Sequence, residues 1–344
     1  MDFLGFIIIL IKVLVIFAAT LLTVLIMTLA ERRVSAFMQG RLGPNRVGPY
    51  GLLQPIADGI KFLMKEDIIP AGVDKPIFIL APAILLIPAL MTFAVIPFGS
   101  DITLFGRQIP LQVADVNVGI LYVLALTSIG VYGIVLAGWS SNSKYSLLGG
   151  LRSSAQLISY ELVMGLSVVS IILLSGSLKL NDIVADQQGY FLSWNIFKQP
   201  LAFIIFLVAV YAETNRLPFD LSEAEQELVG GYHTEYSSMK FAMFYMAEYA
   251  NMITAAALTV TLFFGGWDVP FLNETSLGLW GALLSVTSFI LKMGFFLFLF
   301  IWVRWTFPRF RYDQLMRLGW KVMLPLALFN IFVTAGYLTF KAVI

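Results

Sequence analysis

The chain has 344 residues, of which 59% are hydrophobic and only 12% charged, and its formal net charge is +1. That balance lies outside the range of soluble globular domains and places the chain among polytopic membrane proteins, with no electrostatic basis for nucleic-acid binding. With no cysteine and a single histidine, His233, it holds neither a thiolate-ligated iron–sulfur cluster nor a bis-histidine haem. Any electron-transfer cofactor therefore belongs to a partner, or is a mobile molecule that docks here.

The first apolar run, from Phe3 to Ala30, is longer than a signal-peptide core and carries its positive charges, Arg32 and Arg33, after it. It reads as a spanning helix. About 20 predominantly apolar residues cross a bilayer, and eight segments qualify: 3–30, 76–97, 118–138, 154–174, 200–216, 240–264, 282–304 and 321–340. The fold class expected is an all-α polytopic membrane protein of eight helices in one domain, 1–344. The loops after spans one, three, five and seven carry most of the Lys and Arg. The opposite loops carry only Arg107, Lys179 and Lys198, with Lys341 at the C-terminus. By the positive-inside rule both termini lie on the outer face.

The first inside loop, ERRVSAFMQGRLGPNRVGPYGLLQPIADGIKFLMKE, passes through Gly/Pro turns and then becomes helical in pattern. Leu52, Leu53, Ile56, Ile60, Leu63 and Met64 share one face, and Asp58, Lys61 and Lys65 another. That predicts an amphipathic interfacial helix over about 52–66, its charged face either solvated or packed on a partner protein. In the second span, prolines at 76, 82, 88 and 97 are expected to bend or break the helix. The third span, NVGILYVLALTSIGVYGIVLAGW, contains no carboxylate. Glu161 falls about eight residues into the fourth span, roughly 12 Å from its inside end, and Glu248 about as deep in the sixth.

The stretch from Ala212 to Glu248 departs furthest from the composition of the rest. It holds Glu213, Asp220, Glu223, Glu225, Glu227, Glu235 and Glu248, a third of all the acids. Intramembrane carboxylates are costly unless protonated, paired or facing water, so Glu161 and Glu248 read as proton carriers, against the plainer alternative of interhelical hydrogen bonds. Glu213 and Arg216, three apart, fit an ion pair at a helix end. Asp220 and Glu223 fit an N-cap with its capping box. A helix would put Glu225 and Glu227 on different faces, whereas an extended backbone would align Glu223, Glu225 and Glu227 as a proton-sharing cluster. His233 has no second histidine beside it, and no metal site is expected. Lys292, about ten residues into the seventh span, is expected to pair with an acid of another helix.

Four segments, ERRVSAFMQGRLGPNRVGPYGLLQPIADGIKFLMKED, GWSSNSKYSLLGGLRSSAQLISYE, AETNRLPFDLSEAEQELVGGYHTEYSSMKFAMFYMAEY and RWTFPRFRYDQLMRLGWK, strongly resemble the H-subunit family of NADH-quinone oxidoreductase, respiratory complex I. The likeness covers all four inside loops and their flanking helices. It implies an eight-span core, a surface helix and a quinone chamber completed by soluble peripheral-arm subunits that carry FMN and iron–sulfur clusters. Quinone is then a substrate, and quinone reduction is coupled to proton translocation through antiporter-like membrane subunits. The first-loop positions Arg32, Arg33, Arg41, Arg46, Asp58, Lys61 and Lys65 match the segment that contributes to the chamber and its docking face, with Phe37 and Met38 among the apolar contacts. Glu161, Glu213, Glu223, Glu225, Glu227, Glu235 and Glu248 match the acidic path from that chamber, and Lys292 is read as part of it. Some relatives have a glutamate in the third span; here water or a neighbouring residue must serve. The location implied is a bacterial plasma membrane, in preference to the mitochondrial inner membrane. The membrane subunit of an energy-converting hydrogenase, a stand-alone ion transporter and a structural anchor are the competing readings, and the length of the GPNRVGPYGLLQPIAD match argues against the first.

Overall fold

The computed structural model describes residues 3–104, 107–221, 225–272 and 278–343. Among the described residues, six helices are long and apolar enough to cross a membrane: Gly5–Met38, Lys75–Val95, Gly119–Ser140, Lys144–Ser175, Leu279–Thr306 and Tyr312–Ala342. The chain is thus an all-α membrane protein. In chain order its helices are α1 (Phe3–Met38), α2 (Gln54–Met64), α3 (Lys75–Met91), α4 (Gly119–Ser140), α5 (Lys144–Ser175), α6 (Leu180–Ala185), α7 (Asn195–Lys198), α8 (Pro200–Glu213), α9 (Glu225–Leu228), α10 (Ser238–Phe263), α11 (Leu279–Thr306), α12 (Tyr312–Arg317) and α13 (Leu324–Val343). A π-helical turn over Leu318–Met323 joins the last two. The composition gave no hint of the one small addition, a hairpin of β1 (Ile102–Leu104) and β2 (Arg107–Ile109), paired antiparallel with Ile102 opposite Ile109.

Two long helices position the acids. At 1.5 Å per residue α1 runs about 54 Å, well beyond the roughly 30 Å hydrocarbon core, so it carries Glu31, Arg32 and Arg33 out of its apolar stretch without a break. Helix α5 is also longer than the predicted span, because the polar segment from Lys144 to Ser153 is already helical. Glu161 is therefore about 26 Å along the helix from its start. Gly176, at φ +67°, takes the left-handed conformation that ends this helix.

Helix α3 does not break at its prolines. Pro76 lies in the first turn, where its missing N–H costs nothing; Pro82 and Pro88 lie inside a continuous helix, buried; Pro97 falls after the end. Helix α8 is short, 14 residues, and stops at Glu213, leaving Arg216 outside it. Helix α10 is the most enclosed element. From Met252 to Phe263 every residue is buried, and Phe263 packs against both Phe203 and Phe206 of α8 at 5.4 Å. Its threonines and Glu248 are accommodated because neighbouring helices, not lipid, surround them.

Candidate functional site: a buried charge node beside a cavity

The ends of α1, α8, α10 and α11 meet at one cluster of charge. Helix α8 stops at Glu213, and Asn215 turns the chain through a left-handed residue at φ +50°. The Gln156 side-chain amide on α5 donates to Ala212 O at 2.7 Å and to Phe219 O at 2.8 Å, so freed carbonyls on both sides of the turn are held by a neighbouring helix. This geometry swings Arg216 inward, away from Glu213. Its Nη1 donates to both carboxylate oxygens of Glu31, at 3.0 and 3.2 Å, and its Nε forms an ion pair with Glu248 at 2.5 Å. The Glu213–Arg216 pair expected from the spacing is not formed, because i,i+3 residues share a face only while the helix continues. Glu31 also accepts from the Tyr249 hydroxyl at 2.6 Å and from Arg304 Nη1. The Arg216 guanidinium lies 4.6 Å over the Tyr249 ring. Sequence reasoning missed Glu31, and the only signal was its place at the end of an apolar run.

A cavity of about 450 Å³ opens beside this node, between α1, α2, α10 and α11. Glu31, Arg32, Asp58, Phe62, Tyr249 and Trp305 are among its walls. Arg32 Nη1 pairs with Asp58 at 2.6 Å, and Lys61 approaches the same carboxylate at 3.7 Å. The other edge of α2 is pinned to α10: Ser238 Oγ lies 2.9 Å from both Phe62 O and Lys65 O, either of which takes its one proton, and Lys240 pairs with Asp67 at 2.8 Å. Arg33, Phe37 and Arg41 line a separate open concavity of about 380 Å³ with Leu42 and Tyr50, while Met38 and Arg46 are exposed and line neither. Lys61 lies 4.5 Å over the Phe62 ring, and Lys65 enters the site only through its carbonyl.

The acids divide into an inward series and an outer group. Glu248 and Glu213 both line a void of about 30 Å³, with Asn251, Thr127 and Tyr232. A second void of about 20 Å³ again has Glu213, Thr127 and Asn251 on its walls, with Thr254. Each has room for a water between polar partners. Glu213 lies within the field of Glu161, which accepts a hydrogen bond from Ser128 Oγ of α4. On the surface Glu227 pairs with Arg152 at 2.6 Å, and Glu235 is half-buried in the turn before α10. Glu225 opens α9, so helical geometry holds there and sets Glu225 and Glu227 about 200° apart around its axis. The aligned extended row is not the one adopted; Glu223 lies outside the described residues.

Three further residues occupy places the sequence did not suggest. Asp220 does not cap a helix, since the next residue, Leu221, is not helical; its carboxylate accepts from Arg309 Nη2 at 2.8 Å. Burial raises that carboxyl above its usual range, with the Arg309 guanidinium opposing the shift. Lys292 Nζ donates to three carbonyls beyond the C-terminal end of α10, Phe264 at 2.9 Å, Gly266 at 3.0 Å and Asp268 at 2.7 Å, and lies 4.6 Å over the Trp194 ring. A cation suits the negative end of a helix. His233 is buried among the rings of Tyr232, Phe241 and Tyr245, which pushes its imidazole down to about 4.

Residues 11–335 match the family model described as NADH dehydrogenase. The chain belongs to this family. It is 59% identical over 334 residues to the first-numbered H subunit of NADH-quinone oxidoreductase from Geobacter sulfurreducens, covering 94% of this chain and 92% of that protein. It is 52% identical over 322 residues to the protein of the same name from Cytophaga hutchinsonii, covering 93% and 94%, and 55% identical over 338 residues to the H subunit from Leptospira biflexa, covering 95% and 94%. The family match spans the whole charge node, from Glu31 on α1 to Arg304 on α11.

Proposed function

We propose that this chain is the membrane subunit of a proton-pumping NADH:quinone oxidoreductase that forms one wall of the quinone chamber and couples quinone reduction to proton translocation. The observation that carries the reading is the joint placement of a cavity and a charge node. Glu31, a wall of the 450 Å³ cavity, is bridged by Arg216 to Glu248, and Glu248 shares a water-sized void with Glu213. In this reading a quinone head group enters between α1, α2, α10 and α11, where Arg32 and Arg304 steady its developing negative charge. The acids from Glu248 through Glu213 to Glu161 pass the proton change inward. Glu223, Glu225, Glu227 and Glu235 form the outer loop of the same path, and Lys292 balances its charge at the far end of α10. Arg33, Phe37, Met38, Arg41 and Arg46, with Lys61 and Lys65, face the peripheral-arm subunits that hold FMN and iron–sulfur clusters.

The same reading takes α8 and α10 as spans, which with the six longer helices makes eight, and lays α2 at the interface. Both termini then lie on the outer face of a bacterial plasma membrane, and antiporter-like membrane subunits receive the coupled change. The test is to replace Glu213 and Glu227 singly with glutamine in the assembled complex and measure NADH:quinone turnover and proton pumping in liposomes. Glu213→Gln is expected to abolish pumping with quinone turnover, and Glu227→Gln to reduce both partly. Survival of assembly, turnover and pumping in both variants leaves the chain as an anchor and rejects the coupling role.

A further inference from the structure

The third apolar helix has no carboxylate, yet α4 presents two adjacent hydroxyls toward the acids of neighbouring helices. Ser128 Oγ donates to Glu161 on α5. Thr127 lines both small voids together with Glu213 of α8. Each hydroxyl also points at the same carbonyl one turn back, Leu124 O, at 2.9 Å from Thr127 Oγ1 and 2.9 Å from Ser128 Oγ.

A hydroxyl has one proton and two lone pairs. Ser128 therefore cannot donate to Leu124 O and to Glu161 at once, although both acceptors are in reach. The proton count resolves the conflict in two ways. When Glu161 is ionised, Ser128 turns its proton to the carboxylate, and the charge-assisted bond is the stronger one. When Glu161 is protonated, its own O–H donates to Ser128 Oγ and the serine proton goes back to Leu124 O. Both arrangements satisfy every group, and they differ by one proton on Glu161 and one rotation at Ser128. The titratable group whose field couples to Glu161 is Glu213, which Thr127 faces from the same turn of α4.

We propose that Ser128, with Thr127 beside it, is a positioning residue that holds Glu161 in both protonation states. The inference rests on the reading of Glu161 as a member of the proton path. A hydroxyl in a helix commonly back-bonds to its own i−4 carbonyl and does nothing more; in that case substitution leaves Glu161 unchanged.

The experiment uses the assembled complex in liposomes, with Ser128→Ala, Ser128→Thr, Thr127→Val and Glu161→Gln. Infrared difference spectra between acid and alkaline pH give the protonated-carboxyl stretch of Glu161, assigned as the band lost in Glu161→Gln. Ser128→Ala is expected to move that band to higher frequency, as for a carboxyl group that has lost a hydrogen bond, and to lower the protons pumped per NADH. Ser128→Thr, which keeps the hydroxyl, is expected to restore both. Thr127→Val is expected to leave the Glu161 band in place while lowering pumping through Glu213. If Glu161→Gln impairs pumping while Ser128→Ala leaves band and pumping at the parent values, the proposal is wrong and the acidic path stands. If Glu161→Gln pumps normally, the path reading fails at Glu161, and a band unmoved by Ser128→Ala overturns the positioning role as well. Ser128→Cys, close in size but a weak donor, gives the same comparison should the alanine variant not assemble.

Discussion

Removing the arginine that joins the two acids gives the sharpest test of the charge node. The Arg216 side chain is 6% exposed, and its partners Glu31 and Glu248 are 9% and 13% exposed. Arg216→Met keeps the bulk and deletes the charge. Glu31 retains Arg304 and the Tyr249 hydroxyl, so the carboxylate left without its 2.5 Å partner is Glu248. Breaking a buried pair by removing one member costs about 3–5 kcal/mol, because the remaining charge stays desolvated. Glu248→Gln costs less, since Arg216 keeps its two bonds to Glu31. Combining the changes removes the orphaned charge, so the double variant is expected to recover most of the loss, with a coupling on the order of 3 kcal/mol. The assay is a double-mutant cycle on unfolding of the purified chain in detergent micelles, with complex assembly as a second readout. A coupling below about 0.5 kcal/mol, the additivity found for independent sites, refutes the bridge.

Three shorter predictions follow from other parts of the structure. Because the chain has no cysteine, single cysteines at Tyr50 and Tyr190, both exposed, are expected to label from opposite membrane faces; labelling from one face removes the eight-span topology. His233 is the sole histidine, so one ring signal in nitrogen-15 histidine NMR reports it. With its folded value near 4 and an ordinary value of 6.5, the unfolded chain takes up a proton between those limits that the folded chain refuses. Stability is accordingly full above about pH 6.5, falls as pH drops toward 4 and then levels off; a ring that titrates near 6.5 in the folded chain shows that it is solvated. At Gly149 a Cβ would stand 2.8 Å from Gly231 Cα and 2.8 Å from Tyr232 N, both backbone atoms. Gly149→Ala is therefore expected to destabilise by about 1–3 kcal/mol and to displace the acid-bearing loop, lowering assembly; unchanged thermal stability refutes that contact.

The membrane class, the amphipathic pattern of α2 and the gathering of acids near α10 were legible because each is local, set by hydropathy, period or composition. Partner choice was not. Spacing assigned Arg216 to Glu213 and Asp220 to Glu223, whereas Arg216 reaches Glu31, 185 residues away, and Asp220 reaches Arg309, 89 residues away. Lys292 shows the same limit from another side: its Nζ donates to three carbonyls from the chain beyond the end of α10, which no spacing rule pointed to. Helix termini are unsaturated polar sites, and a sequence pattern records which residues are charged, not which helix end they meet. The contact between Pro218 and Phe310 was illegible for a like reason. Phe310 N donates to Pro218 O at 3.1 Å and the Phe219 and Phe310 rings stack at 5.4 Å, joining segments that share no period.

In the proposed reading, the charge count at the node is what would let a cavity placed there drive protons. Glu31 and Glu248 face Arg216 and Arg304, two negative groups against two positive ones, in surroundings that exclude most water. A further negative charge in the cavity, about 4 Å from Glu31, would be repelled by that one carboxylate by about 4 kcal/mol at an effective dielectric constant near 20, which the cavity-wall guanidiniums of Arg32 and Arg304 offset only if they turn toward it. That is roughly a thousandfold in a protonation equilibrium. Two responses lower the cost. A guanidinium can turn toward the new charge, or a carboxylate can take up a proton. If Arg216 turns, Glu248 loses its partner, and Glu248 is the acid that shares a void with Glu213. In the proposed coupling, the same event that neutralises the cavity would thus create the proton demand on the inward side, through one side chain that touches both acids.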